Sequence, residues 1–276
     1  MLFLGQYNEL QVLRLTSVGA YLGDEDGNDV LLPNKYLDPN LSIEDKIKVF
    51  LYLDSEERPV ATTEIPLMEL HTFAYLKVEE TTHIGAFLQW GLIKHIFCPF
   101  KEQAVKMEEG KSYLVYLFLD DATQRLLVSA RTKKFLESER IMVEVGEEVE
   151  LLICDRSELG QNVIVNDTYS GLIFTNQISR ILKRGERCTG FVAQVREDGK
   201  LDISLQKLGH EKIEPAAVQL LEILQKNDGF LPLNDKSDPD IIRELVGMSK
   251  KTFKQAVGNL YKQRLISLEN SSIRLK

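Results

Sequence analysis

The side chains of this 276-residue chain with usable chemistry are aromatic and basic groups on short β-like segments. Gly19-Ala20-Tyr21-Leu22 and Gly85-Ala86-Phe87-Leu88 each place a ring directly after a small-residue pair. Arg58-x-x-x-Thr62, Arg125-x-x-x-Ser129 and Lys200-x-x-x-Ser204 repeat a cation set four positions before a hydroxyl. The sole tryptophan, Trp90, is followed closely by Lys94 and His95. Rings stack on bases with little regard for their identity, and cations pair with phosphates, so this combination points to single-stranded nucleic acid. The same groups also have structural uses. Tyr21 and Phe87 can plug a core, Arg58 and Arg125 can pair with Asp54 and Asp121, and Trp90 can be a large half-buried ring.

Other chemistries lack their residues. No phosphate-binding glycine loop, Ser-His-Asp arrangement, zinc spacing or dinucleotide fingerprint is present, and the chain reads as non-enzymatic with no cofactor. His71, His83 and His210 have no partners at ligand spacing. Cys98, Cys154 and Cys188 are odd in number and far apart, which suits idle thiols in a reducing cytosol. No window approaches 18 uninterrupted apolar residues, and the first residues lack a basic flank. A cytoplasmic protein without a membrane partner is expected.

The elements that must position the rings and cations repeat. Residues 12–22 (VLRLTSVGAYL) and 76–88 (LKVEETTHIGAFL) carry their Gly-Ala-aromatic-Leu ends 66 positions apart. Val30-Leu31-Leu32-Pro33 then matches Ile96-Phe97-Cys98-Pro99, and 47–53 matches 113–119. A weaker third copy runs over 149–205, with Ser204 lying 75 positions after Ser129. About five short strands in about 60 residues suit a five-stranded Greek-key barrel, the OB-fold. The expected domains are barrels over 1–64, 65–137 and 138–208, with connectors near 64–72 and 132–147, the second holding a helical turn.

After Leu208 the apolar period changes from 2 to 3.6. A helix from Pro215 with Val218, Leu221 and Leu224 inward is followed by one capped by Asp238, with Ile241, Ile242 and Leu245 inward. A third helix, over 250–264 and capped by Ser249, turns Phe253, Val257 and Leu260 to the core. Two strands flanking Asn270-Ser271 complete a winged helix over 209–276. The third helix carries Lys250, Lys251, Lys254, Lys262 and Arg264, either a groove-contacting set or a solvated face. Net charge is −8, unevenly spread: residues 212–276 have 11 basic and 8 acidic groups, net +3, against 23 and 34 elsewhere, net −11. Any contact made by the barrels must therefore be local and use stacking as well as charge.

The Gly-Ala-Phe/Tyr strand, the Gly171-Leu172-Ile173 segment and the Arg/Lys-x-x-x-Ser/Thr endings resemble S1 RNA-binding domains. Three of these ahead of a winged helix resemble the bacterial conserved virulence factor B family. The second copy's Trp90-Gly91-Leu92-Ile93-Lys94-His95, followed by Phe97-Cys98-Pro99-Phe100, is the most characteristic stretch. The resemblance implies a mainly β fold of three tandem S1 barrels with an α+β C-terminus, RNA binding, and post-transcriptional control of virulence factors or related genes. S1 domains bind RNA with two aromatics, a His, an Asp and an Arg on one face. Carried over, the aromatic after Gly-Ala is Tyr21, Phe87 and, in copy three, Val163; the position before the glycine is Val18, Ile84 and Leu159. The His position falls on Pro33, Pro99 and Phe174. The Asp position is Asp54, Asp121 and Arg196, and the basic one Arg58, Arg125 and Lys200.

The expected nucleic-acid contacts are Tyr21, Arg58, Phe87, Trp90, Lys94, Arg125, Phe174, Lys200, Lys250, Lys251 and Lys254, with single-stranded RNA as ligand. Duplex DNA bound through the winged helix is one alternative. A protein adaptor of ribosomal or RNA-decay components is another, suggested by the acidic barrels.

Overall fold

The structure, a computed structural model, describes residues 1–178, 180–207, 215–234, 236–262, 265–269 and 271–276. The chain forms two units, Met1–Leu205 and Gln206–Lys276.

The first unit contains three closed five-stranded barrels. Barrel 1 comprises β1 (Tyr7–Leu15), β2 (Gly19–Gly23), β3 (Asp29–Pro33), β4 (Lys46–Leu53) and β5 (Pro59–Thr62). Barrel 2 comprises β6 (Phe73–Thr81), β7 (Gly85–Gln89), β8 (Ile96–Pro99), β9 (Ser112–Leu119) and β10 (Leu126–Ser129). Barrel 3 comprises β11 (Glu148–Arg156), β12 (Gly160–Val165), β13 (Tyr169–Phe174), β14 (Arg187–Val195) and β15 (Leu201–Ser204). In each, the strand order is first, second, third, fifth, fourth, closed by antiparallel pairing of first with fourth. Closure leaves no unpaired edge for another chain to join.

The repeated glycine is a packing residue. A Cβ at Gly19, Gly85 or Gly160 would lie 2.1, 2.4 or 2.1 Å from a carbonyl oxygen of the facing strand, so only glycine admits this approach. The glycines also fix the register of the third copy. Gly160 faces Phe174 as Gly19 faces Pro33 and Gly85 faces Pro99. The counterpart of Tyr21 and Phe87 is therefore Asn162. Val163, expected there from sequence, is a core residue. A one-residue slip moves a side chain to the opposite face of a strand, and hydropathy favoured the valine.

The hydroxyls that close the cation motif are structural in the first two barrels. Thr62 and Ser129 are buried and accept from the Glu64 and Arg131 backbone N–H at 3.0 and 3.1 Å, turning the chain out of each barrel. The connector after barrel 2 holds the expected helical turn, a 3-10 helix at Thr132–Phe135.

Adjacent barrels share apolar cores. Phe50, Tyr52 and Val60 of barrel 1 pack with Trp90 and the barrel 2 interior. Phe73 and Tyr116 of barrel 2 pack with Leu152, Cys154 and Ile164 of barrel 3. Arg187 ties the second junction, donating to Asp167 at 2.9 and 3.0 Å, to Glu150 at 3.0 Å and to the Phe73 carbonyl at 2.7 Å. Arg187→Ala is expected to destabilise the first unit by about 2 kcal/mol. That figure lies below the cost of breaking a fully buried pair because the guanidinium is partly solvated. Arg187→Lys should recover only part, since an ammonium cannot reproduce the fork. Urea unfolding measures both.

The second unit comprises α1 (Pro215–Lys226), β16 (Phe230–Leu231), α2 (Pro239–Val246), α3 (Lys250–Lys262), β17 (Ile266–Leu268) and β18 (Ile273–Leu275), with sheet order β16-β18-β17. This is a winged helix with one more strand than expected; β16, two residues long, is too short to show an alternation. Asp238 caps α2 by accepting from the Asp240 N–H at 2.9 Å, and the Ser249 hydroxyl accepts from the Thr252 N–H at 3.1 Å.

Two helix faces differ from expectation. α1 buries Ala217, Leu220 and Leu224 and exposes Val218, while Leu221 is only partly buried. α2 buries Ile242 and Val246 and exposes Ile241 and Leu245. Adjacent apolar residues, as in Leu220-Leu221, Ile241-Ile242 and Leu245-Val246, offer two nearly equal stripes, and packing selects between them. α3 buries Phe253, Val257 and Leu260 as expected, with Ala256. Among the described residues no helix is long and apolar enough to cross a membrane.

Candidate nucleic-acid interface

Barrel 2 carries a concave aromatic site. In β7 and β8, Ala86, Leu88, Ile96 and Cys98 turn inward, so the alternating Phe87 and Phe97 face outward and stand opposite each other. Their ring centroids are 4.9 Å apart at an interplanar angle of 37°. They line a cleft of about 350 Å³ whose walls bring in Lys94 and His95 from the β7–β8 loop, Lys101, and Arg125 before β10. Ile84 and Pro99 border the rings, and barrel 1 contributes Leu53 and Glu57. A floor of rings with cations at the margin can stack one base and pair with its phosphates.

The cations here are also junction groups. Lys94 Nζ donates to the Asp54 carbonyl at 2.6 Å and lies 3.5 Å from Glu57 Oε1, while Arg125 Nε lies 3.2 Å from Glu57 Oε2. A second cleft, of about 520 Å³, shares Leu53, Glu57, Thr123 and Arg125 with the first.

Four of the expected residues thus gather at one site: Phe87, Trp90, Lys94 and Arg125. For Trp90 the expectation is corrected. Its side chain is 2% exposed, its Nε1–H donates to the Lys94 carbonyl at 2.6 Å, and its ring meets Phe50 edge-on at 5.8 Å. A ring so enclosed offers no face to a base; it holds the loop that presents Lys94 and His95. The cleft adds Phe97, His95 and Lys101 to the expected contacts; the sequence marks His95 beside Trp90 and Lys94 and Phe97 in the stretch that follows, and gives no signal for Lys101. Phe97 was recoverable, because alternation between Ile96 and Cys98 puts it on the face of Phe87.

The other expected residues are dispersed. In barrel 1 the Arg14 guanidinium sits 3.9 Å from the Tyr21 ring centroid and pairs with Asp29 at 2.8 Å. Arg58 is exposed and pairs with Asp54 at 2.8 Å and Glu56 at 3.0 Å. In barrel 2 the equivalent of Asp54 is Asp120, not Asp121. Asp120 N–H donates to the Arg125 carbonyl at 2.9 Å as Asp54 N–H does to that of Arg58, the turn being one residue longer. Asp120 accepts from the Thr123 hydroxyl at 2.6 Å, leaving Arg125 to Glu57. In barrel 3, Arg196 lies 5.6 Å from the Phe174 centroid and pairs with Asp202, while Lys200 pairs with Asp198 at 2.6 Å.

In the second unit, α3 exposes Lys251 and Lys254, and Lys250 turns back to donate to the Ser237 carbonyl at 2.8 Å. Arg264 and His210 lie outside the described residues, as does the Lys262 side chain.

Burial pushes the Cys98 and Cys154 thiols up to about 12, which makes them poor nucleophiles at neutral pH. His71 Nδ1 sits 3.1 Å from the Tyr116 hydroxyl. Among the described residues no three His, Cys, Asp or Glu side chains converge as a metal set.

Comparison with known proteins agrees with this architecture. Residues 4–64 match the S1 domain family and residues 218–275 the CvfB-like winged helix domain. The Bacillus subtilis protein YitL is 30% identical, the match covering 96% of this chain and 91% of that protein. Conserved virulence factor B of Staphylococcus epidermidis is 25% identical, over 98% of this chain and 94% of its own. A multidomain protein with nucleic acid binding domains from Streptococcus pneumoniae, of known crystal structure, is 22% identical with a TM-score of 0.41, covering 99% of this chain and 98% of that one. With both terminal modules matched and relatives aligned nearly end to end, the chain belongs to the conserved virulence factor B family.

Proposed function

We propose that this protein is a non-catalytic, cytoplasmic RNA-binding regulator that acts after transcription and takes single-stranded RNA in the cleft of barrel 2. One observation carries the reading: Phe87 and Phe97 form an open aromatic floor rimmed by Lys94, His95, Lys101 and Arg125. There rings and cations share one concavity. Tyr21 with Arg14, and Phe174 with Arg196, are secondary contacts, and Arg58 and Lys200 meet phosphate by exchanging their carboxylate partners. Binding per barrel is weak, and modules on one chain raise it through effective concentration. The name borne by several relatives supports a role in controlling virulence factors.

Fluorescence anisotropy of a labelled single-stranded RNA at low salt tests the proposal. The variant Arg58→Ala/Arg125→Ala/Lys254→Ala is expected to bind several-fold more weakly. Its log–log salt slope should be shallower by about 0.7 for each phosphate contact removed. Unchanged binding and slope would count decisively against it. The exposed Lys251 and Lys254 of α3 favour a second reading, duplex DNA in a groove; preference for duplex DNA over single-stranded RNA would select it. A protein pull-down that survives nuclease, with no RNA binding by the intact chain, would select an adaptor instead.

A further inference from the structure

The barrel 2 cleft contains a carboxylate supplied by barrel 1. Glu57 sits on the β4–β5 turn with φ +63°, a left-handed conformation that disfavours a side chain. The equivalent position is Gln124 in barrel 2 and Gly199, φ +75°, in barrel 3. The turn itself needs no glutamate: Asp54 already organises it, accepting from the Glu56 and Arg58 N–H at 2.9 and 3.0 Å. What the Glu57 side chain does is project into the neighbouring barrel's cleft.

Its two contacts there are loose. Lys94 and Arg125 stand 3.5 and 3.2 Å away, one at each oxygen, against 2.8 Å for Arg58 on Asp54 and 2.6 Å for Thr123 on Asp120. An ionised carboxylate has about four acceptor positions, so Glu57 is positioned by two cations and retains acceptor capacity. An acceptor-only group in a site for a polyanion repels phosphate. It gains by meeting base-edge donors, and single-stranded bases are read on such edges. Guanine alone among the four bases presents two adjacent donors, N1–H and N2–H, at the spacing of a carboxylate's oxygens. Uracil presents one donor between two carbonyls, which a carboxylate repels.

We propose that Glu57 is a specificity-determining residue: it accepts the N1–H and N2–H of a guanine stacked on Phe87 and Phe97, so that barrel 1 supplies the base-reading group of the barrel 2 site. The assignment rests on the single-stranded RNA reading above. The aromatic floor takes the base, and Lys101, two-thirds exposed at the cleft margin, faces the phosphates.

The test compares nine-mers of uridine with the same nine-mer carrying one central guanosine or inosine, by anisotropy on the full chain. The wild-type protein is expected to favour the guanosine oligomer about tenfold. Inosine, lacking the N2 amine, should lose several-fold of that preference. Glu57→Gln and Glu57→Gly are expected to bring the guanosine-to-uridine ratio to within about twofold, with weaker binding of the guanosine oligomer as part of that change. Glu57→Gly suits the left-handed backbone and guards against a folding artefact, and thermal melts check both variants.

An unchanged ratio would overturn the assignment and leave Glu57 as a barrel-to-barrel tie. An equal gain in affinity for every oligomer would also overturn it, placing the carboxylate where a phosphate binds. If Phe87→Ala abolishes binding but Glu57→Gln leaves the ratio intact, only the guanine assignment fails. If Phe87→Ala changes nothing, the cleft reading itself fails.

Discussion

Phe87→Ala is expected to weaken binding of single-stranded RNA by about 5- to 150-fold, the equivalent of about 1–3 kcal/mol for one stacked base. The ring faces outward between two inward side chains, so its removal opens the floor of the cleft without emptying the core. Phe97→Ala should fall in the same range. The two rings touch each other and one base, so the double variant should lose less than the sum of the singles. Anisotropy titrations of the four proteins in one buffer give the coupling directly. Near-wild-type urea midpoints would show that affinity, not folding, has changed. Affinities unaltered by both single variants would remove the cleft from the binding surface.

The positions that sequence located well are those whose role repeats. Gly19 and Gly85, the paired strands that follow them, and Arg58 with Arg125 recur at nearly fixed spacing because each barrel solves the same closure problem, so the three barrels could be laid out before any coordinates. Where a role is unique to one barrel, the repeat misleads. The sequence points to Val163 where Asn162 stands, and to Asp121 where Asp120 stands, because hydropathy and a fixed spacing cannot detect a one-residue slip in strand or turn. Trp90 stands out in the sequence as the lone tryptophan, close to Lys94 and His95, yet its neighbours across the junction with barrel 1 lie some 40 positions earlier. Glu57 had no signal at all, since its relation to Lys94 and Arg125 exists only once two barrels are packed. α1 and α2 are legible in the sequence but their buried stripes are not, because only a partner surface chooses between adjacent leucines and isoleucines.

Trp90→Ala should produce the largest loss of stability in the chain, about 3–5 kcal/mol, because it removes a fully enclosed indole from a core shared by two barrels. Two consequences separate this from an ordinary core deletion. The indole N–H is the donor that holds the Lys94 carbonyl, so the loop bearing Lys94 and His95 loses its anchor and a partly buried acceptor loses its partner. RNA affinity should therefore fall even at temperatures where the variant remains folded, although the ring itself never meets the ligand. The same core joins barrel 1 to barrel 2, so wild-type barrels 1 and 2 should unfold in one transition. The variant should unfold at a midpoint lower by roughly 6–20 °C for a unit of this size. Since Trp90 is the sole tryptophan, its emission reports on this junction alone. It should be blue-shifted and poorly quenched by acrylamide in the native wild-type protein, and should shift red with the loss of barrel 1–barrel 2 packing. Saturating RNA should leave it nearly unchanged. A tryptophan strongly quenched by acrylamide, or shielded only when RNA is added, would place the ring in the binding surface and contradict the burial on which this account of the loop depends.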